Sequence, residues 1–254
     1  MNHLAKKPSL MKRVLSAWSR HGAGGFLQLI GKNISYYSGE LQSGRLFRKS
    51  EEAISGFDMA YGAETEGIRE VGSLDIASDN ARHAVRYQPT PHEVASKILH
   101  GLPIDHGQYT FLDFGAGKGR ILLIAAEFPF QAVIGIEFSR ELCQVAKNNI
   151  GNIAHEMRVA LRIECQHADV TVFPLPDTPL VCYFYNPFDS VIMQVVIDRL
   201  AASLKHTPRE IYIVYVHPEH RALFELAGCW QIVEEDEFHV IYRVRLLQLR
   251  PGTP

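Results

Sequence analysis

The residues best placed to do chemistry are acids that close apolar runs. Asp113 stands at the end of YTFLDF (109–114) and opens into a loop in which Gly115, Gly117 and Gly119 occupy alternate positions. Lys118 and Arg120 stand on either side of the last, where they read as a charged rim at the helix start. Glu137 closes QAVIGIEF (131–138), 18 residues after Gly119, and Asp169 follows a third run, LRIEC (161–165). A glycine loop lets backbone approach a ligand and turn sharply into a helix whose first amides face it. Phosphate is the usual ligand of such loops, but it fits badly here. A nucleoside triphosphate loop reads GxxxxGK[S/T], whereas Lys118 is followed by Gly119 and no hydroxyl is offered to magnesium. A dinucleotide loop reads GxGxxG, whereas this one is GxGxG, and Asp113 would face a pyrophosphate of like charge. S-adenosylmethionine removes that conflict, because it is cationic at both sulfonium and ammonium and carries no phosphate.

DFGAGKG (113–119) resembles the first motif, D/E-x-G-x-G-x-G, of class I S-adenosylmethionine-dependent methyltransferases, over roughly Tyr87 to Leu247. The resemblance implies a Rossmann-like, seven-stranded, mostly parallel sheet and S-adenosylmethionine as cofactor. It also implies a cofactor site formed by Asp113, Gly115, Ala116, Gly117, Gly119, Glu137, Phe138, Asp169 and Asn186. Glu137 matches the acid that binds both ribose hydroxyls, where two donors facing one carboxylate make charge-assisted hydrogen bonds. Asp169 matches the acid that accepts from the adenine amino group, although an aspartate after a strand also serves as a turn residue.

YNPF (185–188) is similar to the N/D-P-P-Y/F motif of methyltransferases acting on amino nitrogen, with one proline missing. The resemblance makes Asn186 an acceptor for the N–H of an amine, with Tyr185, Phe188 and Tyr87 as further residues of the reacting end. In the other reading Asn186 caps the next helix. Aromatic faces such as Tyr183, Tyr185 and Phe188 attract cations, but alternation sends Tyr183 and Tyr185 to one face of a strand and Phe184 to the other. RYQPTP (86–91) resembles a segment upstream of the first motif in some bacterial and protein-lysine methyltransferases. Tyr87 and Thr90 could then reach the methionine end, while TPHE also reads as a capping box with Thr90 as N-cap. His217, Glu219 and His220 in VHPEH supply a candidate general base; their spacing is wrong for zinc, and no metal is expected.

These groups need elements to hold them. Strand-like runs at 109–114, 131–138, 161–165, 180–185 and 210–216 alternate with helical patterns at 90–100, 119–128, 139–150, 190–204 and 220–228. That order predicts an α/β fold with both faces of a parallel sheet covered. WQIVEEDEFHVIYRVRLLQL adds a C-terminal antiparallel hairpin. Residues 1–82 read as a basic, mostly helical extension that caps the site, and 83–254 as the methyltransferase domain. Within the extension, Ser9 to about Lys32 has an amphipathic helical pattern broken at HGAGG.

The chain has 254 residues, 46% of them hydrophobic, enough for one domain with a proper core. No apolar run is long enough to span a bilayer, and no secretory signal is evident. The four cysteines lack CxxC pairing and read as reduced core thiols of a cytoplasmic protein. Residues 1–50 carry nine Lys and Arg against the single acid Glu40, so this arm is +8 within a chain of net −2. Such an arm suits an anionic partner such as nucleic acid, or its own acidic domain. The expected function is methyl transfer to an amine nitrogen of a protein lysine or small molecule. A binding module without turnover and an NAD-dependent Rossmann oxidoreductase remain open.

Overall fold

The computed structural model describes residues 56–67 and 89–244. Tyr87, the basic arm and its amphipathic pattern lie outside the described residues. The sheet has seven strands in the order β3-β2-β1-β4-β5-β7-β6. They are β1 (Thr110–Phe114), β2 (Ala132–Glu137), β3 (Ile163–His167), β4 (Leu180–Tyr185), β5 (Ile211–Val216), β6 (Trp230–Glu235) and β7 (His239–Val244). The first five run parallel to one another, and β7 runs antiparallel between β5 and β6. The order steps outward from β1 in both directions, so the first crossovers diverge at β1 and β4. In an open sheet, that point is where strand ends leave a crevice for ligand.

Strict alternation divides each central strand between two cores. Phe111, Val133, Val181, Tyr183 and Val214 face α1 (His92–Gly101), α2 (Arg120–Ala125) and α3 (Arg140–Asn152). Leu112, Phe114, Ile136, Phe184 and Tyr215 face α4 (Ser190–His206) and α5 (Arg221–Leu226). Tyr185 packs against the first core and Phe184 lies in the second, as alternation predicts. Helix α4 buries Ile192, Val196, Leu200 and Leu204 along one stripe, each contributing about 1.5–3 kcal/mol by leaving water.

Of the five helices α1–α5, two start on a side-chain cap. Ser139 caps α3 by accepting from Leu142 N, and Asp189 caps α4 by accepting from Val191 and Ile192 N. Thr90 does not cap α1: the N-cap is Pro91, without a side-chain bond. Buried Thr90 instead places Oγ1 at 3.1 Å from the Tyr183 hydroxyl. The hydroxyl of a buried tyrosine needs a partner, and that need overrides the capping box.

Residues 56–67 pack on the same body. Phe57 and Tyr61, stacked with ring centroids 4.0 Å apart, join the core over α1 and α2. Among the described residues no helix is long and apolar enough to cross a membrane. All four cysteines are free and buried.

Candidate active site

The loop after β1 is sewn onto the end of β2. Gly115 and Ala116 N–H donate to the Ile136 carbonyl at 3.0 and 3.1 Å, and Gly119 N–H donates to Ala116 at 2.8 Å. Gly115, Gly117 and Gly119 all have positive φ, at 89°, 55° and 82°. At Gly115 the lack of a side chain is also a matter of space, since a Cβ there would lie 2.7 Å from Pro187 Cβ. The glycine loop and YNPF therefore interlock, which spacing alone could not reveal.

Asp113 is 3% exposed, and its Oδ2 has no hydrogen-bond partner. Burial, then the nearby Glu137 charge, pushes its carboxyl well above the usual range. A buried acceptor left orphaned is expensive, and a ligand cation would satisfy both its charge and its lone pairs. Glu137 is equally buried, but its oxygens are occupied: Oε2 accepts from Gly117 N at 2.7 Å and Oε1 from Ser139 N at 2.8 Å. Burial raises its pKa to about 7, against the lowering effect of the Ser139, Gly117 and Phe138 N–H groups. Each carboxylate oxygen keeps a second lone pair for a ligand hydroxyl.

Phe138 is half-buried beside Glu137, and its carbonyl lies 3.0 Å from His167 Nε2. Asp169 sits past β3, where Oδ1 accepts from both the N–H and the hydroxyl of Thr171. One of its oxygens thus holds a turn.

At the tips of β4 and β5 the strained positions are not glycines. Asn186 has φ 41° and His217 φ 48°, and they directly follow the paired residues Tyr185 and Val216. Two left-handed non-glycine residues on adjacent strand tips mark a place where side chains are wanted despite backbone cost. Asn186 is 8% exposed, and its Oδ1 accepts from the Tyr215 hydroxyl at 3.2 Å. That hydroxyl accepts from His220 N at 3.3 Å, so its proton is turned to Asn186. Tyr185 meets the His217 ring edge-on at 5.2 Å, and Phe238 stands 6.5 Å from that ring. Phe188 is buried in the second core, with its ring facing the space above Gly115.

Three features escaped sequence reasoning. Tyr215 orients Asn186 from the neighbouring strand. Lys118 and Arg120, which read as a charged rim, are 3% and 2% exposed and bond to residues 64–66. Asn149 on α3 joins the same network. A hint was available for Arg120, because the apolar run ILLIAA directly after it leaves no polar side for a cation.

Residues 105–214 match the model of a family described as a methyltransferase domain, and they hold the divergent strand order, the glycine loop and both acids. Residues 105–214 carry a methyltransferase domain. A release factor glutamine methyltransferase from Caulobacter vibrioides is 35% identical over 124 residues, 48% of this chain. The chain spans only 40% of that relative's length. Among solved structures, a predicted N6-adenine-specific DNA methylase from Listeria monocytogenes aligns with TM-score 0.47 and 15% identity, over 62% of this chain and 51% of that one. An RNA methyltransferase from Salinibacter ruber, crystallised with S-adenosyl-L-homocysteine, aligns with TM-score 0.41 and 19% identity, over 62% and 92%. Among the described residues no group of three or more His, Cys, Asp or Glu is placed to hold a metal ion.

Proposed function

We propose that this protein transfers a methyl group from S-adenosylmethionine to a nitrogen acceptor, an amine of a protein lysine or a small molecule, at the tips of β4 and β5. The observation that carries the cofactor half is the orphaned Asp113 oxygen, buried beside Glu137 under a bare glycine loop. When bound, S-adenosylmethionine supplies an electrophilic methyl group on a sulfonium. In this reading Asp113 holds the cationic end and Glu137 accepts from the ribose hydroxyls. Ala116 and the glycines offer backbone, while Phe138 and Asp169 flank the base.

For the acceptor half, Asn186 Oδ1 has one lone pair committed to Tyr215 and one left for an N–H of the acceptor. Accepting that hydrogen leaves the nitrogen lone pair free to point at the methyl group. Tyr185 offers a ring face to a cationic amine. The imidazole of His217, exposed next to Tyr185, can take the proton that an ammonium must lose before transfer. Catalysis is then chiefly alignment of two partners in a dry site. The Caulobacter relative, whose name assigns it a glutamine, also points to nitrogen; the missing second proline in YNPF favours an amine over an amide. Tyr87 would complete the reacting end from outside the described residues.

The test is to supply methyl-labelled S-adenosylmethionine with cell lysate. Label that survives nuclease and is released by protease, or that extracts as a small molecule, supports an amine acceptor. Label lost to nuclease would move the acceptor to nucleic acid and give the basic arm its partner.

A further inference from the structure

Two buried cations flank Gly119, and both reach out of the loop to the same short piece of chain. Lys118 Nζ donates to the Glu66 carbonyl at 2.7 Å and to the Glu64 carboxylate at 3.3 Å. Arg120 donates to Thr65 Oγ1 at 2.9 Å, lies 3.9 Å from Asp58 Oδ1, and sets its guanidinium 4.0 Å above the Phe57 ring. Asn149 ties the two together. Its Nδ2 donates to the Lys118 carbonyl at 2.9 Å and to the Glu64 carbonyl at 3.2 Å, while its Oδ1 accepts from Glu64 N at 2.8 Å.

The segment has its own internal frame. Asp58 accepts from Thr65 N at 2.7 Å, from Glu66 N at 2.9 Å and from the Thr65 hydroxyl. Its helical end is pinned separately, where the Tyr61 hydroxyl bonds Glu127 and stands 3.3 Å from His92 Nε2. Covering the apolar surface with Phe57 and Tyr61 would not require charged groups underneath. Burying Lys118 and Arg120 has a desolvation cost that an exposed rim would avoid, so their arrangement calls for a role.

We infer that residues 56–67 are the positioning element of the cofactor loop, holding through Lys118, Arg120 and Asn149 the peptides that present Gly117 to Glu137. On the opposite side the loop packs closely on α3, where a Cβ added at Gly119 would lie 3.0 Å from Ala146. Loosening the outer side lets Gly117 N–H leave Glu137, which weakens the site and removes one of the groups that lower the Glu137 pKa. The other groups facing Glu137 are Asp113, the Cys143 and Cys165 thiols and the Ser139 and Phe138 N–H groups. Substitutions in the segment leave these in place.

The inference rests on the cofactor assignment above, and one experiment separates the two. S-adenosylmethionine and S-adenosylhomocysteine are titrated by calorimetry between about pH 6 and 9 into wild type, Thr65→Val, Thr65→Ser and Asn149→Ala, alongside thermal melts. Thr65→Val keeps shape and stands in the segment itself. It should weaken both ligands about tenfold, as for one lost hydrogen bond to a charged group, and move the pH midpoint of binding upward. Asn149→Ala should do the same more strongly, and Thr65→Ser should restore both readouts. Variants that melt earlier but bind with wild-type affinity and midpoint would reduce the segment to a cover and overturn the inference. A wild type that binds neither ligand would instead bring down the cofactor assignment, and this inference with it.

Discussion

The two halves of the sheet's active edge treat backbone strain in opposite ways. At β1 and β2 the left-handed positions are glycines, and ligand-facing polarity comes from main-chain amides and two buried acids. At β4 and β5 the left-handed positions are Asn186 and His217, held by Tyr215 and Tyr185. In the first half an atom added at Gly115 or Gly119 meets Pro187 or Ala146. The second is a pair of side chains whose chemistry is worth the strain. In the proposed reading, a cofactor that never changes is met by backbone, whereas the acceptor is chosen by side chains.

Breaking that contrast has graded consequences. The largest should come from Gly115→Ala, which combines a φ of 89° with a 2.7 Å collision on Pro187. A stability loss of about 2–4 kcal/mol is expected in denaturant titration, with cofactor binding lost as the loop shifts. Asn186→Ala should lower transfer by about 10²-fold. If the proposed acceptor role is its main one, cofactor affinity by calorimetry should stay near wild type, whereas a matching loss of affinity would return it to the cofactor site that the resemblance implies. Glu137→Ala should weaken S-adenosylmethionine by about 2 kcal/mol through loss of a charged acceptor. Asp113→Asn should also weaken it, yet raise the melting temperature of the ligand-free protein at alkaline pH, because a buried acid whose ionisation is disfavoured there is gone.

A pH series sharpens the acid side. Burial raises the folded pKa of Glu137 to about 7, so in the ligand-free protein its contribution to stability falls as pH rises from the ordinary glutamate range through about 7. A bound cation favours the ionised form. The ligand-induced rise in melting temperature should therefore be larger at about pH 8 than at about pH 6; equal shifts would remove the acids from the site. The smallest effect belongs to His217→Gly, which relieves left-handed strain of roughly 1 kcal/mol and loses the Tyr185 contact. A stability change within about 1 kcal/mol is expected, against the large loss for the reverse kind of change at Gly115.

Much of this edge was legible in the chain. Alternation assigned Tyr183, Phe184 and Tyr185 to their faces, and apolar runs ending in Asp113 and Glu137 marked the strand tips, because both signals are local. What stayed hidden depends on distant partners. Lys118 finds Glu64 across 54 residues, and Tyr215 finds Asn186 across 29, distances over which sequence carries no register. Thr90 was misread as a cap because the competing hydroxyl of Tyr183 lies 93 residues away. Even a sound local rule fails when a buried group elsewhere has a stronger need.

The notch left by Gly115 for Pro187 has a bearing on how such an enzyme could diversify. With one proline wedged against the roof of the cofactor cradle, residue 187 has little freedom to be retuned for new acceptors, since any bulkier or displaced neighbour would press on the cradle. Evolutionary variation in what is methylated would then accumulate on the far bank, in the turn after β5 and around Phe238, where a change does not reach the donor.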